Sequence, residues 1–129
     1  MKQDIVANSL NQIMNAKKAG KKQVLLKDKS KLLVNLLDMM KQRGYIDYEA
    51  EKQEDTGIER IRVDILKLNA CKAVKPRFYV KMDNIEKYLR RYLPSRNFGF
   101  LIISTNKGLL DQEQAYENKQ GGALIAYFY

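Results

Sequence analysis

The segment Ser104-Thr105-Asn106-Lys107-Gly108 gathers two hydroxyls, an amide, an ammonium group and a flexible backbone. Such a set donates to phosphate and ribose oxygens and reads the edges of unpaired bases. Ser and Thr in a polar loop can also do no more than close on neighbouring backbone groups. Gly121-Gly122 allows another backbone to come close or supplies positive φ at a turn, and the turn is the plainer use. Neither the Walker spacing nor GxGxxG surrounds it, so it is not a nucleotide-binding loop of those kinds. Lys75-Pro76-Arg77-Phe78-Tyr79 mixes cations and aromatics as single-strand binders do, although Phe78 or Tyr79 could equally pack in a core. Lys17, Lys18, Lys21 and Lys22 form the clearest comb for phosphates. Arg90, Arg91 and Arg96 surround the end of a helix, where cations also suit the helix dipole.

Catalysis finds little support. With 0 His and 1 Cys, neither a His/Cys zinc site nor a Ser-His-Asp or Cys-His set can be assembled from this chain. Asp47, Glu49, Glu51, Glu54 and Asp55 cluster on a hairpin that reads as solvated, whereas an acid/base pair needs one carboxyl in an apolar pocket. Cys71 has Lys72 beside it, which could lower its pKa, but a buried thiol is the simpler expectation. A lone Cys cannot form an intramolecular disulfide and suits a reducing compartment.

The elements that must carry these groups follow from periodicity. Val6, Leu10, Ile13 and Met14 give one helical face from Asp4 to about Lys18, with Asp4 as cap and Gly20 as stop. Val24-Leu25-Leu26 reads as a short strand; Ser30 opens a second helix striped by Leu33, Leu36, Leu37 and Met40, which Gly44 ends. Residues 46–51 and 61–65 alternate with period two about Glu54-Asp55-Thr56-Gly57 and predict an antiparallel hairpin. Leu66 to Val74 is ambiguous. Asp83 to Glu86 has capping-box spacing ahead of a helix striped by Ile85, Tyr88, Leu89 and Tyr92, closed by Pro94. Phe98–Ile103 fits a buried strand, Ser104–Gly108 a polar loop, Asp111 a cap for a short helix, and Ala123–Tyr129 a last strand. The fold class expected is α+β in two small lobes. Residues 1–68 form a helix-strand-helix-hairpin lobe; residues 69–129 form a mainly β lobe with short helices.

Composition agrees with a folded, basic chain. Leu, Ile, Val and Phe make 35 of 129 residues, enough for a core, and the net charge is +9. Residues 1–31 carry 8 basic and 2 acidic side chains, and residues 66–107 carry 10 and 2. Residues 32–65, by contrast, carry 5 and 8. Two cationic blocks about an acidic one imply a directed field and a polyanionic partner, nucleic acid first among them. No apolar run approaches a membrane span, and no secretory apolar segment opens the chain.

The run Gly99-Phe-Leu-Ile-Ile-Ser-Thr-Asn-Lys-Gly-Leu-Leu-Asp-Gln-Glu-Gln-Ala-Tyr116 resembles the signature of the universal small-subunit ribosomal protein eight family. Asp4-Ile5-Val6-Ala7, Ile13–Ala16, Ser30-Lys31, Gly44-Tyr45-Ile46, Pro76-Arg77-Phe78, Leu93–Arg96 and Gly121-Gly122 are similar to it in order along nearly the whole chain. Gly20–Leu25 and Leu93–Gly99 are closer to the eukaryotic and archaeal form, the fifteen-A type of the cytosolic ribosome, than to the bacterial one. The resemblance implies a non-catalytic protein without cofactor, metal, membrane or small-molecule substrate. It would be a monomer in the cytoplasmic small subunit, binding a central-domain rRNA helix beside neighbouring ribosomal proteins. It also implies RNA contacts at Ser104, Thr105, Asn106, Lys107, Gly108, Gly121 and Gly122, and in the first lobe at Asp4, Asn15, Lys17, Ser30 and Lys31. The charge pattern adds Lys18, Lys21, Lys22, Arg77 and Arg96, and Pro76 is taken with Arg77. Asn106 stands where the family commonly has Ser, and Ala123 where it has Glu or Lys. Two rivals remain. A winged-helix-like DNA binder would use residues 1–65, though with an acidic wing; a small carboxylate hydrolase lacks its pocket.

Overall fold

The computed structural model describes residues 4–52, 57, 59–95 and 98–129. They divide into two compact units, Met1–Cys71 and Lys72–Tyr129.

In the first unit, Asp4 caps α1 (Ile5–Lys18) by accepting from the Ala7 N–H at 3.1 Å. Ser30 caps α2 (Lys31–Gln42) by accepting from the Leu33 N–H at the same distance. Both helices end alike. Lys21 N–H donates to Ala16 O and Tyr45 N–H to Met40 O, the six-to-one bonds of a Schellman close about Gly20 and Gly44. β1 (Gln23–Leu26), β2 (Ile46–Lys52) and β3 (Glu59–Ile65) form an antiparallel sheet in the order β1-β3-β2. The turn expected at 54–57 lies outside the described residues except for Gly57. Alternation sends Leu26, Ile46, Ile61 and Val63 inward to meet Leu10, Ile13 and the α2 stripe Leu33, Leu36, Leu37 and Met40. Truncating any one of these leucines to Ala would cost about 2–5 kcal/mol.

The second unit is built on a four-stranded sheet ordered β4-β7-β5-β6: β4 (Cys71–Val80), β5 (Phe100–Thr105), β6 (Gly108–Asp111) and β7 (Gly122–Phe128). β5 runs antiparallel to both β6 and β7, with a register shift at Ile102/Ile103. α3 (Ile85–Tyr92) packs Ile85 and Leu89 against Val74, Val80, Leu101, Ile103 and Leu124. α4 (Gln112–Asn118) starts at a full capping box between Asp111 and Gln114, as the sequence predicts for Asp111.

One open stretch is assigned and two expectations are corrected. The ambiguous stretch at 66–74 holds the start of β4, whose buried Cys71 and Val74 are three apart and so break strict alternation. Asp83 is not a helix cap. The chain enters α3 through a 3-10 turn, Met82–Asn84, and the cap position Asn84 makes no side-chain cap bond. The polar loop 104–108 is a tight hairpin, described next.

Candidate nucleic-acid interface

β5 and β6 meet at the pair Thr105↔Gly108, so Asn106 and Lys107 alone form the exposed tip. The composition that read as loop is strand end, two-residue turn and strand start. Thr105 Oγ1 donates to Gly108 O at 2.9 Å and accepts from the Lys107 N–H at 3.1 Å. That hydroxyl closes the turn. The half-buried Ser104, one residue earlier, has no side-chain hydrogen bond among the described residues and can serve a ligand. Thr105 thus follows the local-capping alternative, and Ser104 does not. Gly108 sits at φ +102°, which a residue with a Cβ reaches only with strain.

The glycine pair joins this hairpin through β7. Ala123 pairs with Ser104, and a Cβ on Gly122 would lie 2.2 Å from Ser104 O and 2.9 Å from Ile103 Cγ2. One on Gly121 would lie 2.7 Å from Val80 O and 3.1 Å from Tyr79 Oη. Neither has positive φ, so close backbone approach, and not a turn conformation, is what requires Gly here. Two segments distant in sequence thus meet at the end of β5. Tyr79 comes with them, 67% exposed, a residue whose place in the sequence suits site and core alike. Phe78 is the ring that packs inward, 5.0 Å from Tyr88. Counting back from the buried Val80 with period two would have separated the two rings.

The other cations of this unit are distributed differently. Pro76 and Arg77 lie exposed on β4, an edge strand. Arg90 pairs with Glu86 at 3.8 Å, and the Arg91 guanidinium lies 5.5 Å from the centre of the Tyr92 ring. Arg96 falls outside the described residues.

In the first unit, Lys17 and Lys18 close α1 and Lys21 and Lys22 follow it; none is in an ion pair among the described residues. Asn15 is exposed on the same last turns, and Lys31 is exposed at the start of α2. Asp4 and Ser30 are the two helix caps, so their acceptor oxygens have a structural use whatever else they touch.

The acidic hairpin is self-paired. Arg62 reaches Glu51 at 2.6 Å, Glu49 at 3.0 Å and Asp64 at 3.8 Å, and Lys41 reaches Asp47 at 3.2 Å. The Lys41 hydrogen bond, with the Tyr48 N–H, holds the Asp47 carboxyl below its usual range. Burial first, then the hydrogen bond to the Asp38 carboxylate, pushes Tyr48 up to about 12. These carboxylates neutralise cations of their own unit. Cys71 is buried, and that burial, against any effect of Lys72, pushes its thiol up to about 12. No described helix is long and apolar enough to cross a membrane.

The chain matches the family described as Ribosomal protein S8 over residues 4–129. It is also 37% identical over 126 residues to a protein of Eremothecium gossypii named small ribosomal subunit protein uS8, covering 97% of this chain and 96% of that one.

Proposed function

Because the chain belongs to the ribosomal protein S8 family, we propose that its hairpin tip and glycine pair recognise a central-domain rRNA helix of the cytosolic small subunit. The protein is a structural, non-catalytic constituent of the small ribosomal subunit, with rRNA and neighbouring ribosomal proteins as partners. The observation that carries the site is the seating of Gly122 on the Ser104 carbonyl. It brings residues 104–108 and 121–122 to one sheet end, presenting a free hydroxyl, an amide, an ammonium and the Tyr79 ring. The segment 104–108 itself carries one cation, Lys107, so it fits RNA by shape and hydrogen bonding. Lysines 17, 18, 21 and 22, in no ion pair among the described residues, supply phosphate attraction with Arg77 and Arg96.

Affinity for a central-domain rRNA helix and for an unrelated duplex, each over a salt series, tests both parts. Equal affinities would sink specific recognition, and a flat salt response would sink the phosphate contacts. Ser104→Ala should weaken the specific complex by about 1–3 kcal/mol while leaving the fold intact. An unchanged affinity would move the site elsewhere. The winged-helix alternative is not favoured, since the described stem of its wing presents carboxylates already bound to Arg62.

A further inference from the structure

The second unit carries a cleft of about 130 Å³ on its edge strand, lined by Lys72, Ala73, Val74 and Lys75 of β4 and by Tyr92 and Tyr127. It lies towards the end of β7 away from the hairpin tip. Ser104 pairs with Ala123 at one end of the β5–β7 ladder and Leu101 with Tyr127 near the other, about 13 Å of strand apart. Tyr92 closes α3 and stacks on Tyr127 at 5.2 Å and 28°, and Tyr127 in turn lies 6.4 Å from Tyr129 at 5°. The Arg91 guanidinium stands over the Tyr92 ring.

From this cleft we infer a docking site for an extended acidic segment of a protein partner, with one aliphatic side chain seated in the cleft and carboxylates on Lys72 and Arg91. The inference stands apart from the RNA surface proposed above and does not rest on it. Size limits the occupant first. The cleft is well below the roughly 300 Å³ at which pockets for whole small ligands begin, and close to the roughly 150 Å³ that holds one benzene-sized apolar group. Charge comes next. Lys72 and Arg91 are exposed and in no ion pair among the described residues, and Lys75 is exposed beside them. Neither β4, residues 87–95 nor β7 carries an acidic residue, so the local field attracts carboxylates. The fold then favours an extended partner. β4 pairs with β7 on one side, no described strand pairs with its other side, and an added strand can lie along that edge. The edge lysines and Pro76 oppose pairing with a second copy of this chain, whereas an acidic strand turns the same lysines to attraction. The rings decide between protein and RNA. A base stacks on an open aromatic face, but Tyr92 and Tyr127 are stacked on each other and Arg91 covers Tyr92. The cleft therefore offers ring edges and the Ala73 and Val74 side chains, which suit an aliphatic group.

The test measures fluorescence anisotropy of a labelled acidic peptide with one central leucine, titrated with the full chain. Replacing that leucine by alanine should weaken binding about tenfold, as expected when an aliphatic side chain is no longer withdrawn from water. Ala73→Leu fills the cleft without changing any charge and should weaken the leucine peptide by about the same factor, with unchanged circular dichroism. Lys72→Glu with Arg91→Glu should weaken both peptides at least tenfold, while Ser104→Ala should bind them as the native chain does. Equal affinity of the native chain for the two peptides would show charge attraction without a seat and overturn the site. So would an undiminished affinity in Ala73→Leu; should that variant fail to fold, the two peptides on the native chain decide alone. A ten-nucleotide oligouridine that displaces the leucine peptide and itself binds less tightly to Ala73→Leu would assign the cleft to RNA and likewise overturn the proposal.

Discussion

Replacing Gly122 by Ala places a methyl group 2.2 Å from Ser104 O and 2.9 Å from both Ser104 C and Ile103 Cγ2. The first obstacle is backbone, so no side-chain rotation relieves it. Restoring an ordinary carbon–oxygen separation requires β7 to move from β5 by about 1 Å, against a normal strand spacing of about 4.8 Å. A displacement of that size breaks one or two ladder bonds, at about 1 kcal/mol each, and adds about 1–3 kcal/mol of overpacking. About 0.5 kcal/mol returns through the stiffer unfolded chain. The sum is about 1.5–4.5 kcal/mol of destabilisation. Gly108→Ala is the internal comparison. Nothing lies within 4 Å of its Cβ, so only φ +102° opposes it, and the cost falls to about 1–2 kcal/mol.

Urea unfolding followed by circular dichroism measures both variants. RNA affinity is then compared under conditions where each remains folded. Because the strain in Gly122→Ala falls on the Ser104 carbonyl, specific RNA affinity should drop as well, even in the folded fraction. A Gly122→Ala protein within about 0.5 kcal/mol of the native chain would refute the close-approach requirement. So would a reversed order, with Gly108→Ala the more damaging.

Gln112, only 5% exposed, acts as a missing strand: its Nε2 donates to Gly99 O at 3.0 Å and its Oε1 accepts from the Leu101 N–H at 2.9 Å. Gln112→Ala leaves two buried backbone groups unpaired and should cost about 2–4 kcal/mol in a urea melt; a loss below about 1 kcal/mol would mean water replaces the amide freely. Tyr48 stays neutral in the folded protein up to about 12, while the ordinary tyrosine value is 10.0. Its raised pKa contributes stability that is present below pH 10 and is lost as pH rises from 10 to about 12. Tyr48→Phe should flatten that alkaline loss in melts across the interval and remove a phenol that ionises at about 12 from the phenolate absorbance titration; an unaltered titration would refute the assignment.

What the sequence made legible is whatever one local period decides. The stripes of α1 and α2 and the alternation of β2 and β3 each face a single core, so 3.6 and 2 survive in the residue types. β4 was illegible for the opposite reason, since Cys71 and Val74 are buried at a spacing of three. The hairpin 104–108 hid behind its polar composition: pairing at Thr105↔Gly108 is set by neighbouring strands, and only the Thr105 side chain betrays it locally. Motif chemistry singled out the Ser104 segment and read the glycine pair as a plain turn; it did not show that the two meet, because that meeting is a register between β5 and β7. Gln112 was beyond reach, its partners lying 11 and 13 residues away across a sheet edge.

The charge distribution then gains a meaning that net charge cannot have. Carboxylates of the acidic block are paired with Arg62, Lys41 and Lys29 within their own unit, whereas lysines 17, 18, 21 and 22 keep their charge for a partner. On the proposed reading the segment 104–108 carries one cation, Lys107, so attraction and fit fall to different residues and should separate experimentally. Neutralising the four lysines to Gln should lower the slope of log affinity against log salt by about one for each phosphate no longer neutralised, for every RNA alike. Ser104→Ala should lower affinity for the specific helix at all salt concentrations without changing that slope, because a neutral hydroxyl releases no counterions. If both sets of variants moved slope and specificity together, a single mixed interface would replace this division of labour.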